Sequence, residues 1–174
     1  MRTATSAAAL AAALALSAAC GTPESETPKP LSGEMPAHCS SGDLQGRLDP
    51  QPPAAGNRYA TLRLTNTSGQ VCTLEGYGRL RLVGPRGEDL PTEMHREPGA
   101  PPRTVSLQPG ETARQDLHWG VVPTGDEPET GLCEPEPEEL RVTPPAASSP
   151  VPVPWRFGPV CAHGAITVSP YQSA

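Results

Sequence analysis

Aromatic side chains are scarce: two Trp, three Tyr and one Phe make up 3% of 174 residues. A domain with so few large rings must fill its interior mainly with Leu, Val, Ile and Ala, which keeps the core modest. Lysine is almost missing. Lys29 stands alone, the arginines are scattered singly, and the net charge is −6. No basic field exists to hold the phosphates of a nucleic acid or an anionic membrane surface, so nucleic acid is not an expected partner. Beyond Cys39 no stretch carries a helical hydrophobic period, which argues against helices in the folded part. The Gly-x-Ser-x-Gly turn that exposes a hydrolase nucleophile is also missing.

What the chain does have begins at its N-terminus. Met1-Arg2 is a short positive start, Ala4 to Leu16 is an uncharged apolar run, and Ser17-Ala18-Ala19 closes it with small residues before Cys20. That is the anatomy of an export signal over residues 1–19. The run is shorter than the roughly 20 apolar residues needed to cross a bilayer, so a permanent span is not expected. The segment resembles the lipobox of bacterial lipoproteins, in which the cysteine carries diacylglycerol and becomes the mature N-terminus. Here Leu16 stands one position further from Cys20 than the commonest pattern places it. The competing reading is ordinary cleavage after Ala19, giving a soluble secreted protein with a free thiol.

Five cysteines are an odd number, and exported proteins rarely leave one unpaired. Assigning Cys20 to lipid leaves Cys39, Cys72, Cys133 and Cys161 for two disulfides, as an oxidising compartment permits. Three pairings exist on paper. Cys39 with Cys72 and Cys133 with Cys161 is favoured, because each bond staples one half of the domain and closes a loop of about 30 residues, contributing about 3–4 kcal/mol in the chain-entropy account.

Between Cys20 and His38 the chain is rich in Pro, Ser, Thr and Glu with little to bury, so residues 20–38, Met35 and His38 included, read as a disordered tether. Fully extended it would reach about 50 Å. The folded domain is then residues 39–174, about the size of one ordinary domain.

In Tyr59–Thr65, Ala60, Leu62 and Leu64 fall on one face and polar residues on the other, the alternation of a half-buried strand. Similar alternation marks Arg79–Leu82, Val105 and Leu107, Ala113 to Trp119, Leu140 and Val142, and Ile166 and Val168. Turn chemistry separates these runs at Asn66–Gly69, Gly84–Gly87 and Gln108–Glu111. The expectation is an all-β, antiparallel sandwich of about seven to nine short strands, with a barrel as the fallback.

Several segments taken in order are also familiar. Leu64-Thr65-Asn66-Thr67, Cys72 to Tyr77, Val105 to Gly110, Leu117-His118-Trp119, Cys133 and Val160-Cys161 resemble an actinobacterial domain of unknown function, numbered 4232, across roughly Cys39 to Tyr171. The resemblance implies an immunoglobulin-like sandwich, found in secreted proteins and lipoproteins, with no assigned activity. It departs at Gly78, where the family often has proline.

Candidate chemistry is thin. His118 alternates with Leu117 and Trp119 and should face solvent, and His163 should sit in a turn beside a disulfide rather than complete the four-ligand set of a structural zinc. Met94-His95 offers thioether and imidazole to Cu(I), but no second Met/His cluster accompanies it. Asp126, Glu127, Glu129, Glu134, Glu136, Glu138 and Glu139 crowd one proline-rich loop. Carboxylates can hold calcium, yet stiff Glu-Pro repeats lack the tight glycine turn of a calcium loop, so a solvated loop is expected. Asn66-Thr67-Ser68 has the glycosylation spacing but reads as a turn. Pro144-Pro145 and Val151–Pro154 read as a crossover or edge strand rather than a bound polyproline segment.

Together these expectations describe a monomeric, non-catalytic cell-envelope lipoprotein without metal or cofactor, anchored through Cys20 on the outer face of the membrane. Its domain would bind an envelope protein, glycan or small ligand through loops or a sheet face. The alternative is an envelope hydrolase using carboxylates of the 126–139 loop, which requires two of them to meet in a pocket with raised pKa.

Overall fold

The structure, a computed structural model, describes residues 35–99 and 101–174. The export signal, Cys20 and most of the tether lie outside the described residues.

The largest sheet grows from β2 (Asn57–Asn66) and β7 (Thr112–Gly120), the two segments with the clearest alternation. They pair antiparallel over nine positions, from Asn57↔Gly120 to Thr65↔Thr112. Ala60, Leu62 and Leu64 of β2 face inward together with Ala113, Gln115, Leu117 and Trp119 of β7. Outside β2 runs β1 (Leu44–Ala54), joined to it by a tight turn at Ala55-Gly56, both at positive φ as two-residue hairpins require. On the other side of β7 lie β10 (Ala165–Val168) and the short terminal β11 (Gln172–Ser173). β5 (Glu93–Arg96) closes the far edge, parallel to β10.

Two smaller antiparallel sheets supply the opposing side of the core. One pairs β3 (Cys72–Glu75) with β6 (Thr104–Leu107), and the other orders β4 (Arg79–Val83), β8 (Glu139–Thr143) and β9 (Val151–Pro154). Leu74, Val105, Leu107, Leu82, Leu140, Val142, Val151 and Val153 face the large sheet. The architecture is therefore an all-β sandwich, as the alternation implies.

Among the described residues there are eleven strands, against the expected seven to nine. The additional ones are those whose pattern is masked. β1 carries Pro50, Pro52 and Pro53, β3 buries three residues in a row, β5 buries none fully, β11 has only two residues, and β9 alternates valine with proline. Proline donates nothing to a ladder, so both proline-bearing strands sit at sheet edges, where one side needs no donors. The β5–β10 pair also departs from a purely antiparallel plan.

Both favoured disulfides are present. Cys39–Cys72 ties the start of the domain to β3, and Cys133–Cys161 ties the acidic loop to the segment before β10. The domain starts slightly ahead of Cys39: the Thr73 N–H donates to the Ala37 carbonyl at 2.9 Å and His38 bridges Thr73, so these two residues of the expected tether run beside β3.

The few aromatic residues are concentrated rather than dispersed. Trp119 packs on Trp155 with centroids 4.7 Å apart, and Phe157 meets both rings nearly edge-on. Tyr171 is also fully buried. Gln115, wholly buried, donates from Nε2 to the carbonyls of Tyr77 (3.0 Å) and Ser169 (2.8 Å), satisfying loop groups that no strand reaches.

Gly46 on β1 packs tightly against β9. A Cβ there would stand 2.5 Å from Val153 Cγ2 and 3.3 Å from Val151 Cγ1. Gly46→Ala is expected to destabilise the domain by about 1–3 kcal/mol through overpacking. Chemical denaturation should register this as a lower midpoint, and the double variant with Val153→Ala should lose less than the sum of the two single changes.

Candidate functional site

The acidic loop does not float free. Glu127, expected among solvated carboxylates, is 7% exposed and accepts hydrogen bonds from the Thr124 N–H (2.7 Å) and the His163 N–H (3.0 Å). Its partner segment is unusual. Ala162 (φ 56°) and His163 (φ 55°) lie consecutively in the left-handed region, which costs roughly 1–2 kcal/mol per residue outside glycine. That conformation turns successive backbone N–H groups toward one point, a concavity suited to an anion, and Glu127 fills it. Burial alone would push the Glu127 carboxyl up. The N–H groups of His163, Thr124 and Ala162 outweigh burial and hold its pKa at about 2.

The His163 ring lies above this contact. Nε2 is 3.2 Å from Asp126 Oδ1 and Nδ1 is 3.4 Å from Glu134 Oε1. One ligand-type atom each from Glu127, Glu134 and His163 falls within 4.8 Å of the others, making these the residues that could approach a cation together. Glu127 is already committed to backbone donors, however. The Cys133–Cys161 bond adds a covalent link between the same two segments. The cluster's evident work is bracing: an ionised carboxylate, an imidazole between two acids and a disulfide hold residues 124–134 against 161–163. Glu129, Glu136 and Glu138 remain exposed, as a solvated loop requires. Sequence reasoning missed the burial of Glu127, although Thr124-x-x-Glu127 has the spacing with which an acidic side chain returns to the N–H three residues earlier.

The other histidines and the sequon behave as surface or turn residues. His118 stands opposite Tyr59 on the outer face, ring centroids 5.6 Å apart, between buried Leu117 and Trp119. Met94 packs partly on the core while His95 points outward 3.5 Å from Glu93, so the two side chains of the copper reading diverge. Asn66 is fully buried, and its amide donates to the carbonyls of Gln70 (2.8 Å) and Leu107 (3.0 Å), leaving no accessible nitrogen for a glycan.

A cleft of about 480 Å³ opens where the β3–β4 connection, the end of β5 and the loop after β8 meet. Tyr77, Arg79, Arg96, Glu75 and the Pro144-Pro145 pair line it. The guanidinium carbon of Arg96 stands 4.9 Å from the centroid of the Tyr77 ring, a cation–π contact. Gly78, where the resembled family often has proline, has φ +67°, which a proline ring cannot adopt. A Cβ at Gly78 would also fall 2.7 Å from the Tyr171 hydroxyl and 2.8 Å from the Thr143 carbonyl.

The Glu127 brace carries a pH dependence. Its carboxyl pKa is depressed in the folded state, so its contribution is complete above the unfolded value, about 4.3, and disappears as pH falls toward about 2. Glu127→Gln is expected to lower the urea midpoint at pH 7 and to flatten the loss of stability across that acid window, while Glu129→Gln changes neither.

The two disulfides are compatible with an extracytoplasmic location, and among the described residues no helix is long and apolar enough to cross a membrane. No curated protein and no solved structure matches the chain. A family model, described as a domain of unknown function, DUF4232, matches residues 39–172, which spans the two disulfides, the Glu127 brace and the Tyr77 cleft. The chain belongs to the DUF4232 family.

Proposed function

We propose that this protein is a non-catalytic cell-envelope lipoprotein, anchored by a lipid on Cys20, whose sandwich domain presents a binding surface outside the membrane. The observation that carries this reading is how the convergence of acids and histidine around Glu127 is used. Glu127, Glu134, Asp126 and His163 lock two loops together, and the buried carboxylate is held ionised by backbone donors. An envelope hydrolase built on carboxylates of the 126–139 loop would need a carboxyl that keeps its proton near neutral pH. Glu127 is driven the opposite way. Loops fixed in place on a disulfide-braced scaffold suit recognition, where rigid presentation lowers the ordering cost of binding.

Location and binding are tested separately. Intact-mass analysis of the mature protein under non-reducing conditions should find a diacylglycerol-bearing Cys20 at the N-terminus and no free thiols, and Cys20→Ser should abolish the lipid mass and the membrane association. Chemical crosslinking in intact cells, followed by mass spectrometry, should capture a reproducible partner or ligand-bearing component on the domain. A hydrolytic activity that vanishes with Glu134→Gln, and no captured component, would reverse the assignment.

A further inference from the structure

We infer that the cleft between Tyr77, Arg79 and Arg96 is a binding site for a small organic anion, one carrying a carboxylate or phosphate group on an apolar body. This deepens the reading of the domain as a binding module and rests on it. The charge pattern points here. The protein is acidic overall, and its arginines are mostly neutralised in place: Arg63 by Asp49 at 2.6 Å, Arg81 by Asp89 at 3.0 Å, Arg141 by Glu139 at 2.8 Å. Among the described residues Arg79 and Arg96 have no carboxylate within ion-pair distance, and both line the same cleft. Glu75 lines it too without pairing to either. Arg58, Arg103 and Arg156 are likewise unpaired, but Arg58 lies outside this cleft, and Arg103 and Arg156 line other clefts beside no second unpaired arginine.

The cleft is also prepared for such a ligand. Arg96 is held over the Tyr77 ring, which limits the freedom its guanidinium would lose on binding. Tyr77 is fixed through its carbonyl by Gln115, so the platform beneath Arg96 is tied to the central strand. A guanidinium presents paired N–H donors that match the two oxygens of a carboxylate or phosphate. Pro144 and Pro145 give an apolar wall, and about 480 Å³ lies within the range of small-ligand sites. An anion reaching both guanidinium groups supplies the charged partner that no described carboxylate gives them.

The test is isothermal titration of the full chain in detergent with two probes, inorganic phosphate and benzoate. Saturable one-to-one binding of at least one probe is expected, weakened at least tenfold by Arg79→Gln and by Arg96→Gln and unchanged by Arg58→Gln. Phosphate alone would assign a phosphoryl ligand, benzoate alone a carboxylate, and both the shared anion chemistry. Unfolding midpoints of the variants, measured alongside, separate lost binding from lost fold. No saturable binding of either probe, or equal weakening in Arg58→Gln, overturns the inference. If crosslinking in cells still captures a component under that outcome, the binding-module reading stands and only the anion site fails.

Discussion

The fold depends on β7 being buried completely along one side. Ala113, Gln115, Leu117 and Trp119 are each at most 1% exposed, while the strand pairs with β2 on one edge and with β10 and β11 on the other. A strand in that position has no unpaired backbone and no free inner face, so everything around it must be complementary in register as well as in volume. A slip of one residue would turn Thr112, Arg114, Asp116 and His118 into the core. The scarce aromatics are placed where this constraint is strictest: Trp119 ends the buried row, and Trp155 and Phe157 from the segment after β9 close over it. Gln115 extends the same logic to irregular backbone, since its amide gives the Tyr77 and Ser169 carbonyls the donors that no ladder offers them.

Around that centre the chain solves a second problem, holding long proline-rich loops with few apolar side chains. It does so with short acidic returns to the backbone. Asp43 accepts from the Ser40 N–H at 2.8 Å, Glu88 from Arg86 at 2.8 Å, Glu111 from Gln108 at 2.8 Å and Glu127 from Thr124 at 2.7 Å. The carboxyl pKa values of Asp43, Glu88 and Glu127 are all lowered, the signature of carboxylates stabilised as anions by hydrogen bonds. The acidic side chains are thus also a structural material. The disulfides act on the same scale, each closing a loop at a place where strand pairing alone would leave an end free.

Much of this was legible beforehand wherever one face of a strand is buried and the other wet. β2, β7, β8 and β10 alternate cleanly, and the pairing of four cysteines follows from stapling each half. The unread strands lie where alternation carries no information. β9 buries Val151 and Val153 but exposes prolines, and β5 turns only Met94 partly inward. The candidate site was less legible than the fold for a related reason. Arg79 and Arg96 are 17 positions apart and belong to different sheets, so only the folded arrangement of the chain brings them to one cleft. The burial of Glu127 depends on the left-handed pair at Ala162 and His163, and no propensity announces that conformation in residues other than glycine or asparagine.

The distribution of satisfied groups also separates the two surfaces a sandwich offers. On the outer face of β1, β2 and β7 nearly every polar side chain is already answered: Asp49 takes both Arg47 and Arg63, Thr61 donates to Asp116 at 2.8 Å, and Arg114 reaches Asp116 and Gln172. A ligand docking there would have to break contacts of the same kind it offers, gaining little. The Tyr77 cleft differs in the sign of that exchange. Its two guanidinium groups hold no carboxylate that a ligand would have to displace, and the aromatic ring and prolines beside them add apolar area. Affinity follows the surplus of new contacts over those surrendered, and in this domain that surplus lies at the loop end, on residues positioned by the same central strand that organises the core.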